Sequence, residues 1–519
     1  PVVTASWKQP YVGNSDVLES VLEGYMTKPG GVERYARYAS ITQSSGTGKS
    51  RMVDELAKKV FCISMNLGSK NAYPPPDVAV QAWFQSLKVH RIDEWDRRVQ
   101  VFIYVLFQTA LKHAQTINSD KTKNPSQIAS EFRSKMSEGM VYGRHGTYRQ
   151  KFYDEVCTNA NKVVFYSAQY GLHDKTQCSQ SPIVNIQDET GDVSNVKDAA
   201  KALTDYLKSA LPPKTVDKHS KPLVIVCFDE AQLLTDSSFF REVTPFPVVR
   251  RVLRIFRVLP IFALFLSTVA QLEQFPPPPP FDSSARVVRT VLRPFEPIVW
   301  TPLDVFAQRF TKTKAGKAWT LAEVASTHHI VHLGRPLFPA MYDAAGDDER
   351  LKNNVLRLAG NKLLYDHNPT PASMSKQQAL ACIAVRIPIN FSAVQLSQPR
   401  NEEDVAAVER TLVANHMRLL LYAGAGFSPI ITASASEPFL AEAAYLAMVQ
   451  LRWSDGRAKE PADRAGLEPF TVFSHYLRES LLDLGPRGEI ATALLLLYAR
   501  DCATTFPLLN TELPPGAGS

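Results

Sequence analysis

An α/β fold built on a parallel sheet, followed by a mostly helical C-terminal half, is the architecture this sequence predicts. Three observations lead there. A glycine-containing turn at Gln43–Ser50 sits between a short extended segment and an amphipathic one. Two continuous apolar runs, Leu223–Phe228 and Pro260–Leu266, have the composition of central strands buried on both faces. Beyond Leu303 the pattern changes to helices separated by short turns.

The elements follow in order. Arg37–Thr42 is a short strand that leads straight into the glycine turn. From Ser50 to Lys59, the residues Met52, Val53, Leu56 and Ala57 form an apolar stripe at helical spacing, and Val60–Met65 reads as a buried strand. Together they predict a βαβ unit with a right-handed crossover. Asp96–His113 is a further helix, with Phe102, Ile103, Leu106 and Phe107 on its core face. From Asn118 to Asp198 the chain is polar with weak periodicity, and is expected to be an insertion packed on the core or a partly mobile loop. Val248–Leu259 predicts a basic helix in which Arg250, Arg254 and Arg257 share a face. That face suits a neighbour's nucleotide or nucleic-acid phosphates, or simply water. Pro297–Trp300 is a third, shorter strand. Next come a helix at Ala322–Ile330, a Gly334-Arg335-Pro336 turn, and a helix starting at Leu337. The C-terminal helices are placed at Glu402–Leu420, Pro438–Leu451 and Arg487–Tyr498. The expected domains are a core over 1–300 with an insertion around 90–220, a helical lid over 301–365, and a mostly helical domain over 366–519.

Composition narrows the function classes. The 519 residues carry 58 basic and 51 acidic side chains, and a net charge of +7 is too mild in so long a chain to argue for nucleic acid. Cysteines at 62, 157, 178, 227, 382 and 502 show no close pair and no metal-like spacing, so neither a disulfide framework nor a zinc site is predicted. A reducing compartment follows, hence an intracellular protein, cytoplasmic or nuclear. No run of about 18 apolar residues is present, so no membrane partner is expected. Pro1–Gln9 lacks the pattern of a signal peptide; the missing initiator Met reads as a trimmed start, which leaves secretion open.

The chemistry is concentrated in Gln43-Ser44-Ser45-Gly46-Thr47-Gly48-Lys49-Ser50. Backbone N–H groups of Ser44, Ser45, Gly46, Thr47, Gly48, Lys49 and Ser50 are expected to converge on phosphate oxygens, aided by the positive end of the following helix. Lys49 would reach the β and γ phosphates, and the Ser50 hydroxyl would bind Mg²⁺. Gln43 departs from the usual first glycine of this motif. The apolar run ending at Phe228 delivers Asp229 and Glu230 to the carboxyl edge of the sheet. Asp229 is the candidate Mg²⁺ partner and Glu230 the candidate base that activates water. Ser267 or Thr268, at the end of the next strand, would sense the γ-phosphate, and Arg335 would reach the phosphates from the lid or pair locally. The cofactors implied are ATP and Mg²⁺, in the manner of a P-loop NTPase.

The nucleotide half resembles P-loop ATPases of the AAA and STAND superclass: Gly46–Ser50 as Walker A, Leu223–Glu230 as Walker B, Ser267 and Thr268 as a first sensor, and Gly334–Leu337 as a lid or second-sensor turn. Adding Ser45–Arg51, Cys227–Gln232 and Ser436–Ala443, the chain is similar to fungal Crinkler-related NTPase proteins. The resemblance implies ATP rather than GTP, and Mg²⁺-dependent hydrolysis coupled to conformational change or assembly. The alternative it leaves open is a nucleotide-regulated module binding protein or nucleic acid, with little turnover and linked to a nuclease effector. A homo-oligomer is a further implied partner. Gly485–Glu489 resembles the opening of a nuclease-like domain, with Glu489 as its acid, but the later strand with paired acids and a lysine is absent before Ser519.

Overall fold

The structure is a computed structural model and describes residues 2–27, 34–69, 73–90, 92–169, 193–211, 221–236, 244–267, 295–307, 318–366, 374–391, 405–424, 429–454, 457–458, 473 and 487–510. Helices α1 (Val2–Lys8) and α2 (Ser15–Thr27) precede strand β1 (Tyr38–Thr42), helix α3 (Lys49–Leu56) and strand β2 (Phe61–Asn66). Helices α4 (Val78–Ser86), α5 (Ile92–Ile117), α6 (Pro125–Ser137), α7 (Thr147–Gln169) and α8 (Val193–Ser209) follow. The chain then returns to the sheet as β3 (Val224–Asp229), α9 (Phe246–Leu253) and β4 (Ile261–Ser267).

These four strands form one parallel sheet in the order β1-β4-β3-β2. Ile298 adds a single parallel bridge to Ile41 on the far side of β1, where the short strand at Pro297–Trp300 was expected. The predicted βαβ unit is therefore spread out: β1 and β2 are not neighbours, because β4 and β3 lie between them. Both faces of the sheet are covered, which is why its strands read as continuous apolar runs. Alternate residues separate cleanly. Ile63, Val226, Phe228 and Phe265 pack into the core under α4–α9, whereas Cys62, Cys227, Leu264 and Leu266 pack under α2 and α3.

The stretch expected to be irregular, Asn118–Asp198, is mostly helical where it is described, with turns and coil at 118–124 and 138–146. Asn124 caps α6 in a reciprocal capping box with Gln127. Phe132, Phe152 and Tyr153 from α6 and α7 enter the main core. Residues 170–192 lie outside the described part. The basic helix is also reassigned. Arg250 is buried, Arg250 and Arg254 both stack on Tyr35 at 5.0 and 5.3 Å, and Arg251 pairs with Asp96 at 3.0 Å. Three of its guanidinium groups thus have partners within the fold.

The C-terminal half has its own hydrophobic core. Single turns at Leu321–Val324 and Thr327–Ile330 precede α10 (Leu337–Ala344), α11 (Glu349–Leu364), α12 (Lys376–Ala384) and α13 (Val405–Asn415). An antiparallel hairpin follows, β5 (Leu419–Ala423) with β6 (Ile430–Ala433), then α14 (Pro438–Arg452) and α15 (Arg487–Asn510). Phe338, Leu363, Leu380, Leu412, Phe439 and Ile490 bring these helices together. The helix expected over Glu402–Leu420 stops at Asn415, and its last residues belong to β5. No helix among the described residues is long and apolar enough to cross a membrane.

Candidate functional site

The glycine turn connects the end of β1 to the start of α3. Gly46 and Gly48 adopt φ of +80° and +89°, the left-handed region that glycine enters without steric cost. Gly46 is also constrained from outside: a Cβ there would lie 3.0 Å from Leu337 Cδ2 and 3.2 Å from Arg335 Cδ. Lys49 is buried, and its ammonium donates to the carbonyls of Gln43 at 2.7 Å and Ser44 at 3.1 Å. Burial pulls its pKa down to about 8, against the opposing fields of Glu230 and Asp229. The Thr47 hydroxyl closes the turn onto Ser44 O at 3.2 Å.

The acidic strand end meets this loop. Asp229, the last residue of β3, is buried and lies beside the Ser50 side chain. Burial and the adjacent Glu230 push its carboxyl upward, with Ser50 and Lys49 working the other way. Glu230 takes a left-handed φ of +50°, and its backbone N–H donates to Asp229 Oδ1 at 3.0 Å. Its stem packs where a Cβ on Gly68 would sit, 3.0 Å from Glu230 Cγ. Because β4 lies between β1 and β3, Ser267 falls at the same sheet edge, in register with Thr42. Thr268, the expected sensor, lies outside the described residues.

Lys49, Ser50, Asp229 and Glu230 are thus brought together, while Arg335 is placed differently. Its guanidinium is fully buried and donates to Glu437, to Ser45 O and to Met417 O. Those donors are shared between Glu437 and the loop residues Ser44 and Ser45, so Arg335 pairs locally while standing at the loop. A different cation stands at the loop. Lys362, in the last turn of α11, donates to Ser45 Oγ at 2.9 Å. Sequence reasoning passed over it, because a lysine near a helix C-terminus is unremarkable. Gln43, noted only as a departure, holds the loop to the C-terminal half through β5.

Two spaces adjoin the loop. A cleft of about 630 Å³ opens between Val12, Trp300, Leu303 and Leu421, with Gln43 in its lining, a volume in the range of small-ligand sites. Beside Asp229, a small space of about 50 Å³ is lined by Ser50, Asp229, Asn66, His145 and Arg149 among others, room for a few waters. Chemically, the loop offers N–H donors and an ammonium to an anion, while the Ser50 hydroxyl and Asp229 carboxylate are oxygen donors of the kind a hard divalent cation takes. Glu489 is exposed at the start of α15.

Fold and site together define an α/β protein with a four-stranded parallel sheet whose carboxyl edge gathers a glycine turn and two acids. Residues 23–171 and 147–299 match the family described as "Domain of unknown function (DUF8735)". The two overlapping spans cover more than half of the chain, and the chain belongs to this family. No curated protein and no solved structure matches it.

Proposed function

We propose that this chain is a Mg²⁺-dependent P-loop ATPase whose nucleotide state is coupled to the packing of its C-terminal half. The observation that carries this reading is the juxtaposition of Ser50 and Asp229, which line one space at the end of the glycine turn, with Lys49 held in the field of both acids. A glycine turn alone is a weak signal, but its joining to an acidic strand end far along the chain is a specific arrangement. Backbone N–H groups of the loop would orient the phosphates, and Lys49 would exchange its two carbonyl partners for phosphate oxygens. Ser50 and Asp229 would hold Mg²⁺, which supplies charge neutralisation at the β and γ phosphates. Glu230 would take a proton from water as the water oxygen bonds to the γ-phosphorus and the bond to the leaving ADP oxygen breaks. The adjoining cleft offers room for the base and ribose.

Steady-state ATP hydrolysis with Mg²⁺, measured across protein concentrations with and without DNA, tests the proposal. Turnover that Lys49→Ala abolishes supports it. A folded chain that neither binds nor hydrolyses ATP refutes it.

The Arg335 network favours a second reading. It ties the loop carbonyl of Ser45 to Glu437 at the head of α14, so occupancy of the loop is felt in the C-terminal half whether or not ATP is cleaved. A nucleotide-regulated module binding a second copy, another protein or nucleic acid would bind ATP tightly and change its assembly. Its turnover would stay at background and be indifferent to Glu230→Gln.

A further inference from the structure

We propose that Lys362, carried by α11 from the C-terminal half, is the cation that distinguishes a bound triphosphate from a diphosphate. The inference rests on the P-loop reading above and adds a residue to it.

Position is the first argument. Lys362 Nζ donates to Ser45 Oγ at 2.9 Å, so its ammonium lies against the phosphate loop itself. That bond uses one of the three donors an ammonium carries. Arg335, the cation expected in this role, has its side-chain nitrogens committed to Glu437, Ser45 and Met417. Lys49 belongs to the loop and serves any polyphosphate. Of the three cations gathered here, Lys362 is the one that reaches the loop from the other half with donors beyond its bond to the loop hydroxyl.

Charge is the second. Lys362 is half-buried, and burial lowers its pKa, offset by the field of Glu230 and reinforced by that of Arg335. A desolvated ammonium is costly unless an anion faces it. Glu230 is the anion near it now, and Glu230 is the residue expected at the terminal phosphate. An added γ-phosphate would supply a further countercharge there, and its loss on hydrolysis would remove it.

Connection is the third. Lys362 is followed by the buried Leu363 and Leu364, and His416 Nδ1 lies 2.7 Å from Leu363 O. A pull on Lys362 therefore acts directly on the C-terminal core, which gives the terminal phosphate a mechanical route to α13.

Equilibrium affinities for Mg²⁺-ADP and for a non-hydrolysable Mg²⁺-ATP analogue decide the matter, measured on the full chain and on Lys362→Met, Lys362→Arg and Lys49→Ala. A hydrogen bond to a charged group predicts that Lys362→Met weakens the ATP analogue on the order of 10- to 100-fold, leaves ADP within about twofold, and is partly rescued by Lys362→Arg. The retained ADP affinity also certifies folding. Equal loss of both nucleotides would make Lys362 a mere pin on Ser45 and overturn the inference. So would wild-type affinities in Lys362→Met while Lys49→Ala loses both, an outcome that leaves the P-loop reading standing. If the unmodified chain binds neither nucleotide, that reading falls and this inference with it.

Discussion

Arg335 and Glu437 form a fully buried ion pair that fastens the glycine turn to the C-terminal half. Nε donates to Oε1 at 2.7 Å, Nη2 to Oε2 at 2.6 Å, and the Arg335 backbone N–H to Oε1 at 3.0 Å. From the same guanidinium, Nη1 reaches Ser45 O at 2.5 Å and Nη2 reaches Met417 O at 2.6 Å. Gly334 makes room: its φ is +97°, and a Cβ there would lie 2.5 Å from Glu437 Cγ. Removing one member strands the other, which typically costs about 3–5 kcal/mol. Arg335→Met and Glu437→Leu should each lower stability to urea by about that much, and the double variant should lose far less than their sum. Simple additivity would show that the two residues act independently.

Gln43 predicts a second stability effect. Its side-chain Nε2 donates to Val299 O at 3.0 Å and Leu420 O at 2.8 Å, and Oε1 accepts from Leu420 N and Ser44 N, each at 2.9 Å. The amide thus behaves as a strand partner for β5, which explains why glycine does not occupy the first position of this loop. Gln43→Gly should lower stability by about 2–4 kcal/mol and raise hydrogen exchange at Leu420. An equally stable variant with protected Leu420 would deny the bridge any importance.

The two central strands were legible because burial on both faces leaves only one kind of residue in them: Val224–Phe228 and Ile261–Leu266 carry no polar side chain. The loop and Asp229 with Glu230 were legible for a related reason, since glycines and acids stand out against such runs. The helices α6 and α7 were not. Arg133 at the edge of the core and the buried Arg149 break the apolar stripe, their charges being met by Asp54 and Asp77 from elsewhere in the chain. The end of α13 was hidden differently. Met417 supplies the left-handed turn with φ +66°, and Arg418 N–H returns to Leu412 O, so no glycine announces the stop. The Arg335–Glu437 pairing was not legible, because a basic residue after a glycine reads the same whether its partner is near or a distant glutamate.

His145 gives the protein an acid-sensitive element. It is buried beside Asp77, Nε2 to Oδ1 at 3.5 Å, and Arg149 holds both oxygens of the same carboxylate at 2.7 Å. Burial, then the Arg149 charge, pulls its pKa down to about 4 from 6.5, with Asp77 opposing. Between those two values the unfolded chain binds a proton that the folded chain refuses. The contribution is therefore complete above pH 6.5, shrinks as pH falls, and is gone once pH has dropped through about 4. Its full size is roughly 3 kcal/mol at most. Urea unfolding of the protein and of His145→Gln at about pH 7, 5.5 and 4.5 should show the wild type losing more stability on acidification. Parallel pH profiles would remove His145 as the cause.

Glu230 best separates catalysis from occupancy. Its left-handed backbone, fixed by the bond from its own N–H to Asp229 Oδ1, turns the side chain out of the strand direction that Asp229 follows. Asp229 stays with Ser50, whereas Glu230 packs over Gly68, with Lys49 and Lys362 both within its field. A carboxylate placed one step beyond Ser50 and Asp229, the pair that would hold Mg²⁺, suits a base for water. Glu230→Gln keeps the size and hydrogen-bonding capacity but removes that base. General acid–base groups contribute on the order of 100- to 10,000-fold in rate, so single-turnover hydrolysis should fall by that factor while ATP and Mg²⁺ affinity survive. Lys49→Ala, by contrast, should lose affinity and turnover together, since its ammonium would bind the phosphates directly. If the ATP state assembles, Glu230→Gln should accumulate the assembled form, visible as a larger species at saturating ATP. Affinity and single-turnover rate measured on one preparation distinguish the roles. Equal loss of both in a folded Glu230→Gln would make Glu230 a binding residue, and unchanged turnover would take it out of the active site.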